Sequence, residues 1–417
     1  MDRKIQTSLI TKTLAVAITA AMASTVQAAS TEQQQIQELR KEVQALKALI
    51  QQQQQVQQQQ QVQIQQVQAQ PAPAAKSASP FSLKSKGGAE VNLYGFVRGD
   101  ANYIVEGADN DFNSVHTSTG AAKDKLRATP KTTRLGLDFS SPVGDRKVGG
   151  KIEVDFAGTN DALRIRHAYL TLDNWLLGQT TSNFLSNHAP EMIDFGTNVG
   201  GGITRIPQVR YSHKLAPATQ LLVSAEEGDS SGTGLTYRLP VLTAKVTQGF
   251  ANGKGAASAR AMVENYKSTT ANDDKTGWGV AAGAHYQVTE PLKISADVSH
   301  VVGNSNYLYG SNTAYSLDGR NIEQNEFTAF QVGATYKFAP NLRSTLGYGA
   351  IFADDGTDYA ALNEDANKEV YQAWLNFIYS PVKPVDLGIE YINGERETFA
   401  GETFKDNRFG LMARYNF

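Results

Sequence analysis

The chain has 417 residues, with 39 Lys+Arg against 41 Asp+Glu and no cysteine. The near-neutral balance gives no whole-chain case for nucleic-acid binding, and the missing cysteines remove thiol catalysis, Cys-ligated zinc and disulfide scaffolds together. Glycine at 36 residues and tyrosine and phenylalanine at 17 each suit a strand-rich chain, and past the N-terminus there is no apolar run of the ~20 residues a membrane helix needs.

Residues 1–28 read as a signal peptide. Arg3 and Lys4 form a positive start, Leu14 to Ala23 a short apolar stretch, and Val26-Gln27-Ala28 a small-x-small cleavage site. Residues 29–69 read as a coiled coil, although half of positions 31–70 are glutamine. Ile36, Leu39, Val43, Leu46 and Ile50 step by three and four. The same frame places Gln53, Gln57 and Gln60 on the seam, and Ile64 and Val67 return in phase. The alternative is a disordered glutamine tract. Residues 70–89, with Pro71, Pro73 and Pro80, read as an extended linker.

From Glu90 the period becomes two. Val91, Leu93, Gly95, Val97, Gly99 and Ala101 share one face; Asn92, Tyr94, Arg98, Asp100 and Asn102 share the other. Leu135, Leu137 and Phe139, Ile152, Val154 and Phe156, and Leu292, Ile294, Ala296 and Val298 repeat the pattern against charged neighbours. A soluble sandwich would put such apolar faces inside; a membrane barrel puts them in lipid and leaves the charged faces in water. Connection lengths favour the barrel. Short turns are expected at 141–145, 173–174, 216–219, 239–241, 289–291, 339–341 and 380–384. Long polar stretches are expected at 106–130, 182–206, 253–274 and 354–368. Seven short turns and two chain ends on one side imply about 16 antiparallel strands over residues 90–417. Phe409, Leu411, Ala413, Tyr415 and the terminal Phe417 alternate as in a closing outer-membrane strand.

Signal peptide, Gln-rich heptads, Pro/Ala linker and the opening strand Val91-Asn-Leu-Tyr-Gly-Phe96 together resemble the DcaP-like porins of Gram-negative bacteria, over the whole chain. The resemblance implies trimers of 16-stranded barrels with a periplasmic N-terminal coiled coil. It also implies uptake of small anions, dicarboxylates among them. It further implies that 182–206, after the fifth strand, folds into the lumen as a constriction. There Glu191 and Asp194 are expected to face the basic wall, with Arg205 on the same loop; the alternative is an exposed surface loop.

Strand phase places Arg98, Arg134, Lys151, Arg164, Arg166, Arg210, Lys214, Arg238, Lys245, Lys293, Lys337, Arg343 and Arg414 inward. Asp100, Asp138, Glu153, Asp155, Glu226, Asp297 and Glu390 are the inward acids. The lining is therefore basic although the barrel segment as a whole is not. Arg98, Arg134, Arg164, Arg166 and Arg210 are the candidate substrate contacts, because the guanidinium fork matches carboxylate oxygens two at a time. The competing reading is that these arginines only pair with wall acids, which cancels their field. The six histidines make no convincing Ser/His pair, and His188 with Glu191 lacks a third ligand, so neither an enzyme nor a metal site is expected.

The reading is thus an outer-membrane porin that favours small anions and takes no cofactor. Its expected partners are two further copies of the chain, outer-membrane lipid, lipopolysaccharide and, through the coil, peptidoglycan; nucleic acid is not one. The alternatives are a non-selective general porin, or a barrel that mainly tethers the outer membrane to the cell wall.

Overall fold

The computed structural model describes residues 82–84, 88–228, 234–237 and 239–417. The expected signal peptide, the coiled coil, most of the linker and Arg238 lie outside the described residues. Among those described, sixteen antiparallel strands close into one barrel. They are β1 (Glu90–Gly107), β2 (Ala122–Thr129 and Arg134–Val143), β3 (Arg146–Asp155), β4 (Arg164–Leu172), β5 (Trp175–Thr181), β6 (Arg205–Ala216), β7 (Thr219–Glu226) and β8 (Val241–Phe250). The second half comprises β9 (Gly255–Ser268), β10 (Asp273–Gln287), β11 (Leu292–Val302), β12 (Glu326–Ala339), β13 (Leu342–Ala353), β14 (Asn367–Tyr379), β15 (Val385–Thr398) and β16 (Thr403–Asn416). Each pairs with the next, and β16 returns to β1 with Leu411 opposite Ala101. Phe417 completes the seam, donating its N–H to the Gly95 carbonyl at 3.0 Å and accepting from the Gly95 N–H at 3.2 Å. Closure matters because an open edge would leave unpaired backbone groups in hydrocarbon.

The period-two pattern does what a lipid-facing wall requires. Leu126, Ile165 and Leu411 point outward and are 68%, 55% and 52% exposed, while Asp100, Glu153, Gln331 and Glu390 on inward positions are buried. Outward aromatic pairs sit towards both rims. Trp175 with Tyr211 and Tyr336 with Phe338 lie near the short turns; Tyr391 with Phe409 and Trp278 with His300 lie nearer the long loops. Amphipathic rings at these two levels suit the membrane–water boundary.

Two irregularities shape the inner wall. Strand β2 is interrupted at 130–133, where Pro130 has no N–H to give. The Thr133 hydroxyl bridges the gap, accepting from the Arg98 N–H at 3.0 Å and donating to the Arg98 carbonyl at 3.1 Å. In β4 the register against β3 slips between Glu153 and Val154, leaving Arg166 as the extra residue. Such a bulge re-aims a side chain, and here it places both Arg166 and His167 beside Glu153.

Six of the seven expected short turns are found. The seventh is misplaced: 239–241 belongs to a long-loop connection, the short turn is 251–254, and most of the loop expected at 253–274 is strand β9. The reason lies in β9. Its outward face begins Ala257, Ala259, Ala261, so the apolar alternation is carried by small residues and reads weakly. The end of the linker also differs from free extended chain, since Ser82–Lys84 pairs back onto Glu90–Asn92.

Candidate functional site

Loop L3, residues 182–204 between β5 and β6, lies inside the barrel. Side-chain hydrogen bonds or ring contacts hold it to every strand from β7 to β15. Asn183 N–H donates to Glu226 at 3.1 Å, Lys245 Nζ to the Leu185 carbonyl at 2.7 Å, and Ser186 Oγ to Asp297 at 2.5 Å. His188 meets Ser258 at 3.0 Å and His285 at 2.9 Å. Gln331 Nε2 donates to the Val199 carbonyl, and Val199 N–H to Gln372. Arg343 grips Glu191 with both arms at 2.7 and 2.8 Å, and Glu390 accepts from the N–H groups of Ile193 and Asp194. On β1, Arg98 donates to the Ile193 carbonyl at 2.8 Å. Among the described residues no hydrogen bond joins L3 to β2, β3 or β4.

L3 does not lie there alone. Phe184, Leu185 and Val199 pack with Val115 of loop L1 (108–121) and Tyr307 and Leu308 of loop L6 (303–325) against wall residues of β8 to β14. Phe184, Leu185, Val199 and Val115 are wholly buried, each worth about 1.5–3 kcal/mol against exposure. Glycine permits the close approach. Gly200 has φ +75°, and a Cβ on it would lie 2.8 Å from the Phe330 carbonyl oxygen; a Cβ on Gly349 of β13 would lie 2.2 Å from that of Val199. L1 is fastened in turn: the Asn113 N–H donates to Asp194 and the Ser114 N–H to Asp406 of β16, both at 2.7 Å. One side of the lumen is therefore filled by a plug of three loops.

The opposite arc, β2 to β6, carries the arginines. Arg164 pairs with Asp155 at 2.7 Å, and Arg166 with Glu153 at 2.7 Å and Asp155 at 2.8 Å. Arg134 lies 3.4 Å from Glu153. Arg205, the first residue of β6, stands in the field of Arg166, Arg134 and Arg164, with Glu153 opposing them, and donates only to His167, at 3.4 Å. Four guanidinium groups thus meet two carboxylates. The carboxylates are also the deeper groups: the Asp155 and Glu153 side chains are 2% and 6% exposed, against 42% for Arg164 and 29% for Arg134. Arg166, at 7%, is as recessed as the carboxylates, and apart from Asp138 beside Lys151 the charge that faces water on this arc is positive.

Below L3, at the short-turn end, a cavity of about 580 Å³ is lined by Arg98, Arg134, Lys293, Lys337, Arg343 and Arg414, with Glu191 the one acid in its lining. The Arg134 and Arg414 guanidiniums flank the Phe96 ring at 5.0 and 5.6 Å.

The expected site residues therefore divide. Arg134, Arg164, Arg166 and Arg205 come together. Arg98 stands apart, paired with Asp100 at 2.6 Å under L3. Arg210 is buried and spends its donors on Gln208 and the Thr181 carbonyl. Glu191 faces the lower cavity. Asp194 does not face the basic wall: it is buried against Asn113, because the loop turns inward there to meet L1. Burial first, and the nearby Glu390 carboxylate after it, push its carboxyl up to about 7 against the Asn113 hydrogen bond. Burial, His285, Arg260 and Lys245 hold His188 down to about 3.

Sequence reasoning missed the lumen bases Arg260, paired with Asp297 at 2.6 Å, and Arg408, paired with Asp406 at 2.7 Å. Arg408 was signalled by the Phe409–Tyr415 alternation, which continues back through it. Arg260 was hidden by the alanine face of β9. No group of three or more acidic or histidine side chains is placed to hold a metal ion among the described residues.

A family model described as DcaP outer membrane protein matches residues 17–417. The crystal structure of the outer membrane channel DcaP of Acinetobacter baumannii is 69% identical, with a TM-score of 0.79, covering 80% of this chain and 99% of that one. OmpT of Vibrio cholerae, at 17% identity and a TM-score of 0.53, shares the fold over 81% of this chain and 99% of its own. So does the anion-selective porin of Comamonas acidovorans, at 13% and 0.55, over 79% of this chain and 100% of that one. No curated protein sequence matches.

Proposed function

Because the chain belongs to the DcaP outer membrane protein family and is an outer-membrane channel rather than an enzyme, we propose that it passes small hydrophilic solutes with a preference for anions. One observation carries the reading. The loop plug is fastened to β7–β15 and β1, and the arc it leaves bare sets four arginines, of which Arg166 is itself recessed, against two recessed carboxylates. The barrel segment carries about 30 Lys+Arg against about 37 Asp+Glu, so total charge favours cations. Position outweighs the total where the passage is narrow, since water screens least there and low-dielectric walls concentrate the field. Dicarboxylates suit the arc because two guanidinium forks can each take one carboxylate.

The same reading places the short turns and both chain ends in the periplasm and the long loops outside. It also places the coil of 29–69 in the periplasm, within reach of peptidoglycan, and lipopolysaccharide around the outer rim. A trimer is supported by the outward face of the seam. There Gly99, Ala101, Ala128 and Ala413 line an apolar groove of about 650 Å³, shallow side chains that let a neighbouring barrel approach.

The test is a reversal potential in a planar bilayer under a KCl gradient, followed by succinate in place of chloride. A potential on the chloride side, and inward flux of succinate in swelling liposomes, is expected. A cation-side potential would refute the anion preference, and absence of swelling with any solute would leave the tether as the better reading.

A further inference from the structure

The lower cavity holds charge that the bare arc does not explain. Lys337 of β12 and Arg343 of β13 are direct register partners, and both line the cavity. Like charges placed directly opposite on neighbouring strands destabilise a sheet. Lys293 of β11 is opposite Thr335, one inward position along from Lys337, so it stands as the diagonal neighbour of that lysine. Three bases on three adjacent strands thus share one patch of wall. The other arginines of the lining have acids beside them, Arg98 with Asp100, Arg414 with Asp386 and Arg134 with Glu153 at 3.4 Å, and Arg343 itself is held by Glu191. Lys293 and Lys337 have no carboxylate within 4 Å among the described residues.

The single acid in the lining belongs to the loop, not to the wall. Glu191 is brought in by L3, whose backbone is fixed at that residue by Trp374 Nε1 and Asn376 Nδ2 donating to the Glu191 carbonyl at 3.0 and 3.1 Å. Its carboxylate occupies Arg343 in the bidentate manner of a bound carboxylate ligand. Of the three bases in the wall patch, one is thus already satisfied by the protein itself.

We propose that Lys293 and Lys337 form a second anion site, on the short-turn side of L3, that holds small oxyanions of two or more negative charges. Arg343 is shared between that guest and Glu191. The inference rests on the pore reading but not on the anion preference of the arc, with which this cavity shares Arg134 and neither lysine. Two ammonium groups on flexible stems, rooted at diagonal positions about 7–8 Å apart on neighbouring strands, suit a dianion that touches both; a monoanion neutralises one and leaves the other.

The experiment uses the full-length channel in a bilayer, with sulfate as probe and acetate as the monovalent control. Orientation is fixed by a biotinylated cysteine at Gly144. Sulfate added on the short-turn side should slow chloride current with a lower half-blocking concentration than sulfate from the other side, and acetate should not. Lys293→Gln with Lys337→Gln should raise that concentration about thirtyfold or more, the loss of two charge contacts in high dielectric. Glu191→Gln should lower it by freeing Arg343. Equal block from both sides, or a block the double lysine variant leaves unchanged, overturns the proposal. If Arg205→Gln alone weakens sulfate block as much as the lysine pair does, the sulfate sits on the arc and the second site does not exist. A wild-type channel with no chloride preference but lysine-dependent sulfate block would refute the arc and keep this site.

Discussion

Replacing Arg205 with glutamine removes one positive charge from the bare arc and orphans no carboxylate. That makes it a cleaner probe than Arg98, Arg164 or Arg166, each of which is an ion-pair partner. A unit charge about 4 Å from a passing anion contributes roughly 1 kcal/mol in bulk-like water and about 4 kcal/mol at an effective dielectric of 20. Arg205 is half-buried on a wall that is wet on one side, so the lower end applies. The anion-to-cation permeability ratio should then fall about fivefold, by the same ~1 kcal/mol. A dianion, feeling the charge twice, should lose more. The assay is the reversal potential under a fixed KCl gradient, repeated at raised ionic strength, where screening should shrink the difference between variant and wild type. A folded Arg205→Gln channel with an unchanged reversal potential at low salt would mean that the arc's excess charge lies off the solute path.

Arg166→Ala should act mainly on stability. It leaves Glu153 and Asp155 recessed with fewer partners, at a cost of about 3 kcal/mol, seen as a lower melting temperature that Glu153→Gln partly restores. Gly349→Val should push Val199 and the plug off the wall, raising single-channel conductance and lowering ion selectivity while the barrel stays closed. Asp194 binds its proton more tightly folded than unfolded, with its carboxyl up at about 7. Its contribution to stability is present at pH values below the ordinary carboxylate range and is lost as pH rises towards 7 and beyond. Melting temperature should accordingly drop between pH 5 and pH 8, and Asp194→Asn should reduce that drop; an equal drop in the variant would assign it elsewhere.

The wall was legible in the sequence because lipid and water impose period two on each strand, and that alternation gave sixteen strands and the inward phase of Arg134, Arg164 and Arg166. It failed where alanine carries the outward face, as in β9, and so lost Arg260. The plug was not legible in the same way. Val115, Phe184, Val199, Tyr307 and Leu308 come from three loops with no shared period, and only closure of the barrel makes them neighbours. Pairing was equally hidden. Phase says that Arg98 points inward and the loop reading brings Arg205 to the lumen, but only coordinates show that Asp100 neutralises one and that no carboxylate pairs with the other.

The hydrogen bonds around Asp194 bear on how the barrel is made and how it fails. From β16 the path runs through Asp406 to Ser114 and Asn113, on to Asp194, along the loop to Ile193, and out to Arg98 of β1. It crosses from inside the junction where the first and last strands meet. The Ser114–Asp406 link joins residues 292 positions apart, so it can form only as that junction closes and belongs to the slow, late stage of folding. Once made, these contacts link the two ruptures: the strands cannot part there without pulling the loops out of the lumen, and the loops cannot leave without loosening the junction. Heat or denaturant should therefore remove wall and plug in one cooperative transition, rather than emptying the channel first.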